Sequence, residues 1–315
     1  MEVLGGTAGW SYEDWVGPFY PADAQKGFSR LSFYSGFFDC VEVDSTFYRH
    51  FPPQVAEKWL KEVDGNPAFT FLVKLHKSFT HGGRESAGDP DVDGKIVLDF
   101  LQPFVQMGKL GGVLVQFSEY FRDSPSSTDR ILAIADRFRG MQLFFELRHT
   151  SWYTEKARGF LEKNGISVIA IDQPALKGMT GLIPEIVGDA GYFRLHGRNE
   201  KMWEISRKTF AEKKASSETM GKDDPGRNDR YNYLYSSAEL DEIEGKVRRV
   251  AERCKRVYVV ANNHPMGKAV ANALELVRRL RNQEKVRVPD TVIRYFPELE
   301  RVAKKVDVSR GDNLF

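Results

Sequence analysis

The sequence predicts a single-domain α/β fold, an eight-stranded (β/α)8 TIM barrel, on three observations. Eight short runs rich in Val, Ile, Phe and Leu recur along the 315 residues. Each is followed by a loop and then a stretch of helical periodicity, the repeat expected of βα units. Every run from the second to the eighth carries a polar or ionisable residue at its last or next-to-last position, which marks one shared end of the strands.

The runs span residues 3–9, 39–44, 69–74, 112–117, 142–147, 167–172, 191–196 and 256–262. Helices are predicted over 53–63, 126–138, 151–164, 238–253 and 267–281. A parallel sheet of eight such units closes most simply as a barrel, and 315 residues lie within the range of that fold. The alternative, a doubly wound open sheet, carries a Gly-rich phosphate turn that opens a helix after its first strand. Here Gly5-Gly6-Thr7-Ala8-Gly9-Trp10 is followed by Tyr12, Trp15, Gly17 and Pro18, so the dinucleotide fingerprint is absent. No fixed-period repeat points to a solenoid.

The barrel is assigned residues 1–282, and residues 283–315 read as a C-terminal appendage packed on its exterior. Two stretches read as loops. Residues 78–94 are rich in Gly, Asp and His, and residues 197–237 form a long loop after strand seven that carries Trp203, Tyr231, Tyr233 and Tyr235. Loops that follow barrel strands lie over the catalytic face.

Composition, 41% hydrophobic and 29% charged, excludes disordered, fibrous and membrane-embedded classes. A net charge of +2 is neutral on nucleic-acid binding, since a local basic patch can hide in a balanced total. Cys40 and Cys254 lie beside apolar runs in no metal-ligand spacing and read as reduced, buried thiols. Residues 1–9 lack a basic segment followed by an apolar one, and no run of about 18 apolar residues occurs. A cytoplasmic chain without a membrane partner is therefore expected.

Side-chain alternation pairs Glu42 with Asp44, Lys74 with His76, Glu146 with Arg148, and Arg194 with His196 on common faces. The interleaved Val41, Val43, Val73, Phe145, Leu147, Phe193 and Leu195 are apolar. A ring of Glu42, Lys74, Gln116, Glu146, Asp172, Arg194 and Asn262 is predicted at the mouth, where barrel enzymes place catalytic groups. Glu42, Lys74, Glu146, Asp172 and His196 are the catalytic candidates. Trp10, Asp44, Tyr48, Gln116, Arg148, Arg194, Arg198, Tyr233, Asn262, Asn263 and Gly267 are the substrate-binding candidates.

This mixture suits a small anionic substrate. Arg194, Arg198 and Lys74 can clamp phosphate or carboxylate, and the Asn262 to Gly267 turn leads into a helix that can present N–H groups to phosphate. Three functions fit. The first is hydrolysis of a phosphate-bearing or nucleotide-like substrate, by acid–base groups or with a metal held by Glu42, Glu146, Asp172 and His196. The nearby Arg148, Arg194 and Lys74 disfavour that metal, and no His-x-His cluster occurs. The second is a metal-free glycosidase or isomerase built on Glu42 and Glu146. The third is a non-catalytic binder of a ligand or nucleic acid.

The strand ends also resemble the YecE-like family, TIM-barrel proteins defined by domain of unknown function 72. The resemblance rests on Gly5 to Tyr12 with Trp15, Gly17 and Phe19-Tyr20-Pro21; Val41 to Tyr48; Phe71 to Lys74 with Thr80-His81; and Val115-Gln116-Phe117. It continues in Phe145 to His149 with Ser151-Trp152, Tyr192 to Arg198, Tyr231 to Ser236, and Asn262-Asn263 with Gly267, Ala269, Asn272 and Ala273. It implies the barrel and nominates positions without naming a reaction. Asp44 stands where the family usually shows Asn, and the segment after strand seven and the tail are longer than typical.

Overall fold

The first strand, β1 (Glu2–Ala8), holds two adjacent glycines because its neighbours leave no room for side chains. A Cβ on Gly5 would stand 1.9 Å from Val277 Cγ2, and one on Gly6 would stand 2.0 Å from the Cys40 carbonyl oxygen. The Gly-Gly pair is thus a packing requirement, and no phosphate turn follows it. These relations come from a computed structural model that describes residues 2–81, 90–184, 187–216, 218, 221 and 223–308.

β1 lies between β2 (Cys40–Val43) and β8 (Arg256–Ala261). The remaining strands are β3 (Thr70–Lys74), β4 (Leu110–Gln116), β5 (Leu143–Glu146), β6 (Ala170–Asp172) and β7 (Ala190–Leu195). All pair in parallel, in the order β5-β4-β3-β2-β1-β8-β7-β6. The seam between β5 and the residues entering β6 is closed by Phe145 N–H donating to Ser167 O at 2.8 Å and Ile169 N–H donating to Phe145 O at 2.9 Å. The eight strands therefore form the expected (β/α)8 barrel.

Helices α1 (Arg30–Ser35), α2 (Pro53–Glu62), α3 (Lys77–Thr80), α4 (Pro90–Gln106), α5 (Pro125–Arg137) and α6 (Glu155–Lys163) cover the first half. α7 (Glu200–Ala215), α8 (Ser237–Ala251) and α9 (Lys268–Leu280) cover the second. Among the described residues no helix joins β6 to β7, where the repeat predicts one. The loop expected over 78–94 is shorter, since α3 and α4 take up its ends; residues 82–89 of that reading lie outside the described residues.

The loop expected over 197–237 is corrected: its first half is α7, and a 3-10 turn follows at Asp229–Tyr231. Asn199 caps α7 by accepting from Met202 N–H at 3.4 Å, while Trp203 and Ser206 are its buried residues. So narrow an apolar face, among many charges, gives little periodic signal. After α9, β9 (Val286–Pro289), α10 (Asp290–Tyr295) and β10 (Ala303–Val306) form a separate two-stranded parallel unit. It docks through buried Val288, Val292, Phe296 and Leu299, and Thr291 Oγ1 donates to Phe19 O at 2.9 Å.

Two apolar layers result. Leu4, Leu72, Leu114, Phe144, Tyr192 and Tyr258 fill the barrel below the mouth, and the outward strand faces pack under the helices. Cys40 and Cys254 are free and buried. Among the described residues no helix is long and apolar enough to cross a membrane.

Candidate active site at the strand ends

Paired residues of a parallel sheet share a face, so strand register decides which polar ends meet. Gln116 is level with Glu146, and Arg194 is level with Ile171 and Val260 on the interior face. Asp172 is level with Leu195, whose face is turned to the outer helices. Asp172 is thereby removed from the predicted ring. It accepts from Arg198 Nε at 2.9 Å and Nη2 at 2.6 Å and from Tyr235 Oη at 2.7 Å, behind the barrel wall.

Arg194 is the centre of what remains. Its Nε and Nη2 donate to the two oxygens of Glu42 at 2.8 and 2.6 Å, and its Nη1 donates to Glu146 and, at 3.2 Å, to Gln116 Oε1. Arg148 Nε reaches the other oxygen of Glu146 at 2.6 Å. Tyr192 Oη, one step deeper on β7, donates to Glu42. Glu42 and Glu146 are both 0% exposed and Arg194 1%, so this is a buried, closely compensated charge cluster.

The two acids differ in protonation. Burial pushes Glu42 up to about 7, against the pull of Arg194. Burial acts the same way on Glu146, but Arg148, Arg194 and His196 outweigh it and hold that carboxyl well below its ordinary range. Asp44, on the same face as Glu42, adds to the upward push on it; burial would raise Asp44, yet Lys74 and Arg194 keep it lowered. Lys74 Nζ lies 3.1 Å from Asp44 Oδ1 and 4.4 Å from the centre of the Phe47 ring.

His196 is fully enclosed, and burial takes its pKa down to about 3. A neutral imidazole has one N–H. Arg148 Nη2 stands 3.3 Å from Nε2 and the Asn262 amide 2.8 Å from Nδ1. The Asn262 amide nitrogen donates to Nδ1, so the proton sits on Nε2, 3.6 Å from Glu146 Oε2. His196 is thus a fixed spacer between Arg148 and Asn262.

Other predicted residues take different places. Tyr48 is 60% exposed and only edges Phe47. Tyr233 Oη donates to Glu239 at 2.6 Å, away from the mouth. Arg198 is spent on Asp172 and Glu242. Asn263 holds Tyr233 O at 2.8 Å and Asn272 Oδ1 at 2.9 Å. The turn at Gly267 has its N–H groups filled from within the chain. Met266 N–H donates to Asp14 Oδ2 at 2.7 Å and Gly267 N–H to His264 O at 3.2 Å. An acidic side chain stands where phosphate was expected.

Residues the sequence reading did not select also face the mouth. Tyr231 lies with its ring 5.9 Å from those of His196 and Trp203, and Arg230 lies over it at 4.8 Å. Burial would raise its phenol, but Arg230, Arg148, Lys74 and Arg194 together lower it. His81 edges Phe47 at 5.0 Å, and burial with Lys74 and Arg148 nearby takes it down to about 4. Tyr12 stacks on His264 at 4.4 Å. Tyr231, Tyr233 and Tyr235 alternate in one irregular segment, where no periodicity tells which ring turns inward.

Beside Asp44 the mouth opens into a cavity of about 870 Å³. Trp10, Tyr12, Arg49, Lys58 and Trp59 are among its lining residues, with Trp10 and Trp59 packed edge to face at 5.2 Å.

A (β/α)8 barrel whose strand ends converge on a buried polar cluster defines the class of protein. The chain belongs to the family described as Protein of unknown function DUF72, which matches residues 4–293. YunF of Bacillus subtilis, a UPF0759 protein, is 26% identical over 290 residues, spanning 87% of this chain and 93% of that one. A DUF72 family crystal structure from Thermotoga maritima is 30% identical, with a TM-score of 0.73 over 89% of this chain and 100% of that one. One from Enterococcus faecalis shares the fold at 24% identity, with a TM-score of 0.73 over 89% and 95% of the two chains. The YecE-like resemblance and the DUF72 match describe one family.

Proposed function

We propose that the mouth binds a polar, anionic substrate of phosphate-bearing or nucleotide-like kind and hydrolyses it by acid–base chemistry. One observation carries this reading: three cations, Lys74, Arg148 and Arg194, are buried together at the strand ends, and with Arg230, the largest contributor, they lower the Tyr231 phenol that burial alone would raise. A position that favours phenolate favours a bound anion for the same reason. Glu42 is enclosed and held by Arg194 and Tyr192, so Asp44, beside Lys74 at the mouth, supplies the acid–base group, and the charge that Glu42 gains as pH rises through about 7 opposes a bound anion. The adjoining cavity has the volume of a small-ligand site, and its tryptophans and cations suit the remainder of a nucleotide-like molecule.

A glycosidase using Glu42 and Glu146 has less support. Both carboxylates are buried and gripped by one guanidinium, which leaves neither free to meet a glycosidic oxygen or a water. The proposal is tested by offering phosphate monoesters, diesters and nucleotides to the purified chain and following hydrolysis. Turnover that falls as pH rises through about 7, and that Lys74→Met and Arg148→Met abolish in folded protein, is expected. Cleavage of neutral glycosides without any response to phosphate esters would overturn it.

A further inference from the structure

Outside the mouth, three metal-ligating side chains from three separate chain segments meet at the rim of the same barrel face. His50 comes from the connection after β2, His76 from the residue pair that follows β3, and Asp93 from the first turn of α4. One ligand atom from each lies within 4.8 Å of the other two. His50 Nε2 is already 3.0 Å from Asp93 Oδ1, close to the edge of a tetrahedron around a small ion. We propose that His50, His76 and Asp93 bind a divalent transition-metal ion of the zinc class.

Each ligand is prepared for that role. Asp93 is 8% exposed, and a carboxylate so enclosed calls for a cation beside it. The two imidazole rings lie 4.0 Å apart and tilted by 33°, so a proton on both would set like charges face to face. The His76 ring is held in place at Nδ1, which accepts from Ser78 N–H at 3.3 Å and stands 2.9 Å from Ser78 Oγ.

Two imidazoles and one carboxylate with a free coordination position suit zinc and its neighbours over magnesium or calcium, which prefer all-oxygen shells. Lys74, Arg148 and Arg194 are not among the three ligands of this cluster. The ion would tie the start of α4 to the segments after β2 and β3, with His76 two residues beyond Lys74. The site does not depend on the reading of the mouth.

The test uses the full chain freed of metal by a chelator and titrated with Zn²⁺ or Co²⁺. One equivalent should bind, with the visible absorption of a four- or five-coordinate Co²⁺ ion and a rise in unfolding temperature. His76→Ala and Asp93→Asn should each weaken binding by roughly tenfold or more, whereas His149→Ala, at a histidine outside the cluster, should leave it unchanged. Circular dichroism reports whether each variant folds, and two variants at different ligands keep the test open if one does not. No stoichiometric ion, or an ion held equally well by folded His76→Ala and Asp93→Asn, overturns the site.

Discussion

Arg194 and Glu42 face each other across the barrel axis in a two-point clamp, Nε and Nη2 each donating to a carboxylate oxygen at 2.8 and 2.6 Å, with both side chains buried. The remaining nitrogen of the same guanidinium holds Glu146. One cation therefore secures two acids from opposite strands, and its removal would strand both. Arg194→Leu is expected to cost about 3–5 kcal/mol, the usual consequence of leaving buried charge unpaired. Arg194→Lys should recover little, because an ammonium cannot reproduce the planar fork. Urea unfolding measures both, and a loss below about 1 kcal/mol would show that the clamp is relaxed in solution.

The proton on Glu42 makes stability depend on pH in a definite direction. Its folded pKa, about 7, lies above the ordinary 4.5, so the native state holds an extra proton between those values and loses stability as pH rises through that window. His196 acts oppositely: its folded pKa, about 3, lies below 6.5, and stability is lost as pH falls through that range. Glu42→Gln removes only the first slope. The unfolding free energy of the variant minus that of the parent should therefore rise between pH 4.5 and 7, by on the order of 3 kcal/mol. A difference that does not change with pH would refute the assignment.

Asp172 and Lys74 separate structure from binding. Asp172→Asn breaks contacts to Arg198 and Tyr235 behind the wall and should lower stability by about 2–4 kcal/mol while leaving anion affinity at the mouth intact. Lys74→Met should weaken phosphate binding and, by leaving Asp44 unpaired, also lower stability. Calorimetric titration with inorganic phosphate beside thermal unfolding reads both. Equal losses of affinity in the two variants would return Asp172 to the site.

Both thiols should be silent in the native protein. Cys40 is fully enclosed, and burial pushes its pKa well up; burial and Asp189 raise Cys254. A chromogenic disulfide reagent should titrate no fast thiol until denaturant is added. A rapid reaction in buffer would mean that the β1–β2 region opens locally.

Much of the site was legible because alternation along a strand is a local property. Glu42, Lys74, Gln116, Glu146, Arg194 and Asn262 could be assigned to the barrel mouth from parity and strand ends alone. Asp172 could not, because its face depends on how three-residue β6 is registered against β7, and that register places Ile171 inward beside Arg194. Residues 197–237 failed for another reason: α7 buries little beyond Trp203 and Ser206, and a helix stabilised by a cap and a few contacts leaves almost no hydrophobic period.

The order of strands, the closed barrel and the polar mouth thus follow from the sequence by itself, since burial on both faces demands apolar runs and tolerates charge only where they end. Tertiary structure alone decided the pairings. It turned Asp172 outward, brought Tyr231 rather than Tyr233 to the cations, and gathered His50, His76 and Asp93 from segments that share no sequence spacing. Such contacts are set by strand register and by the paths of connections between elements, and neither is encoded in the neighbours of any one residue.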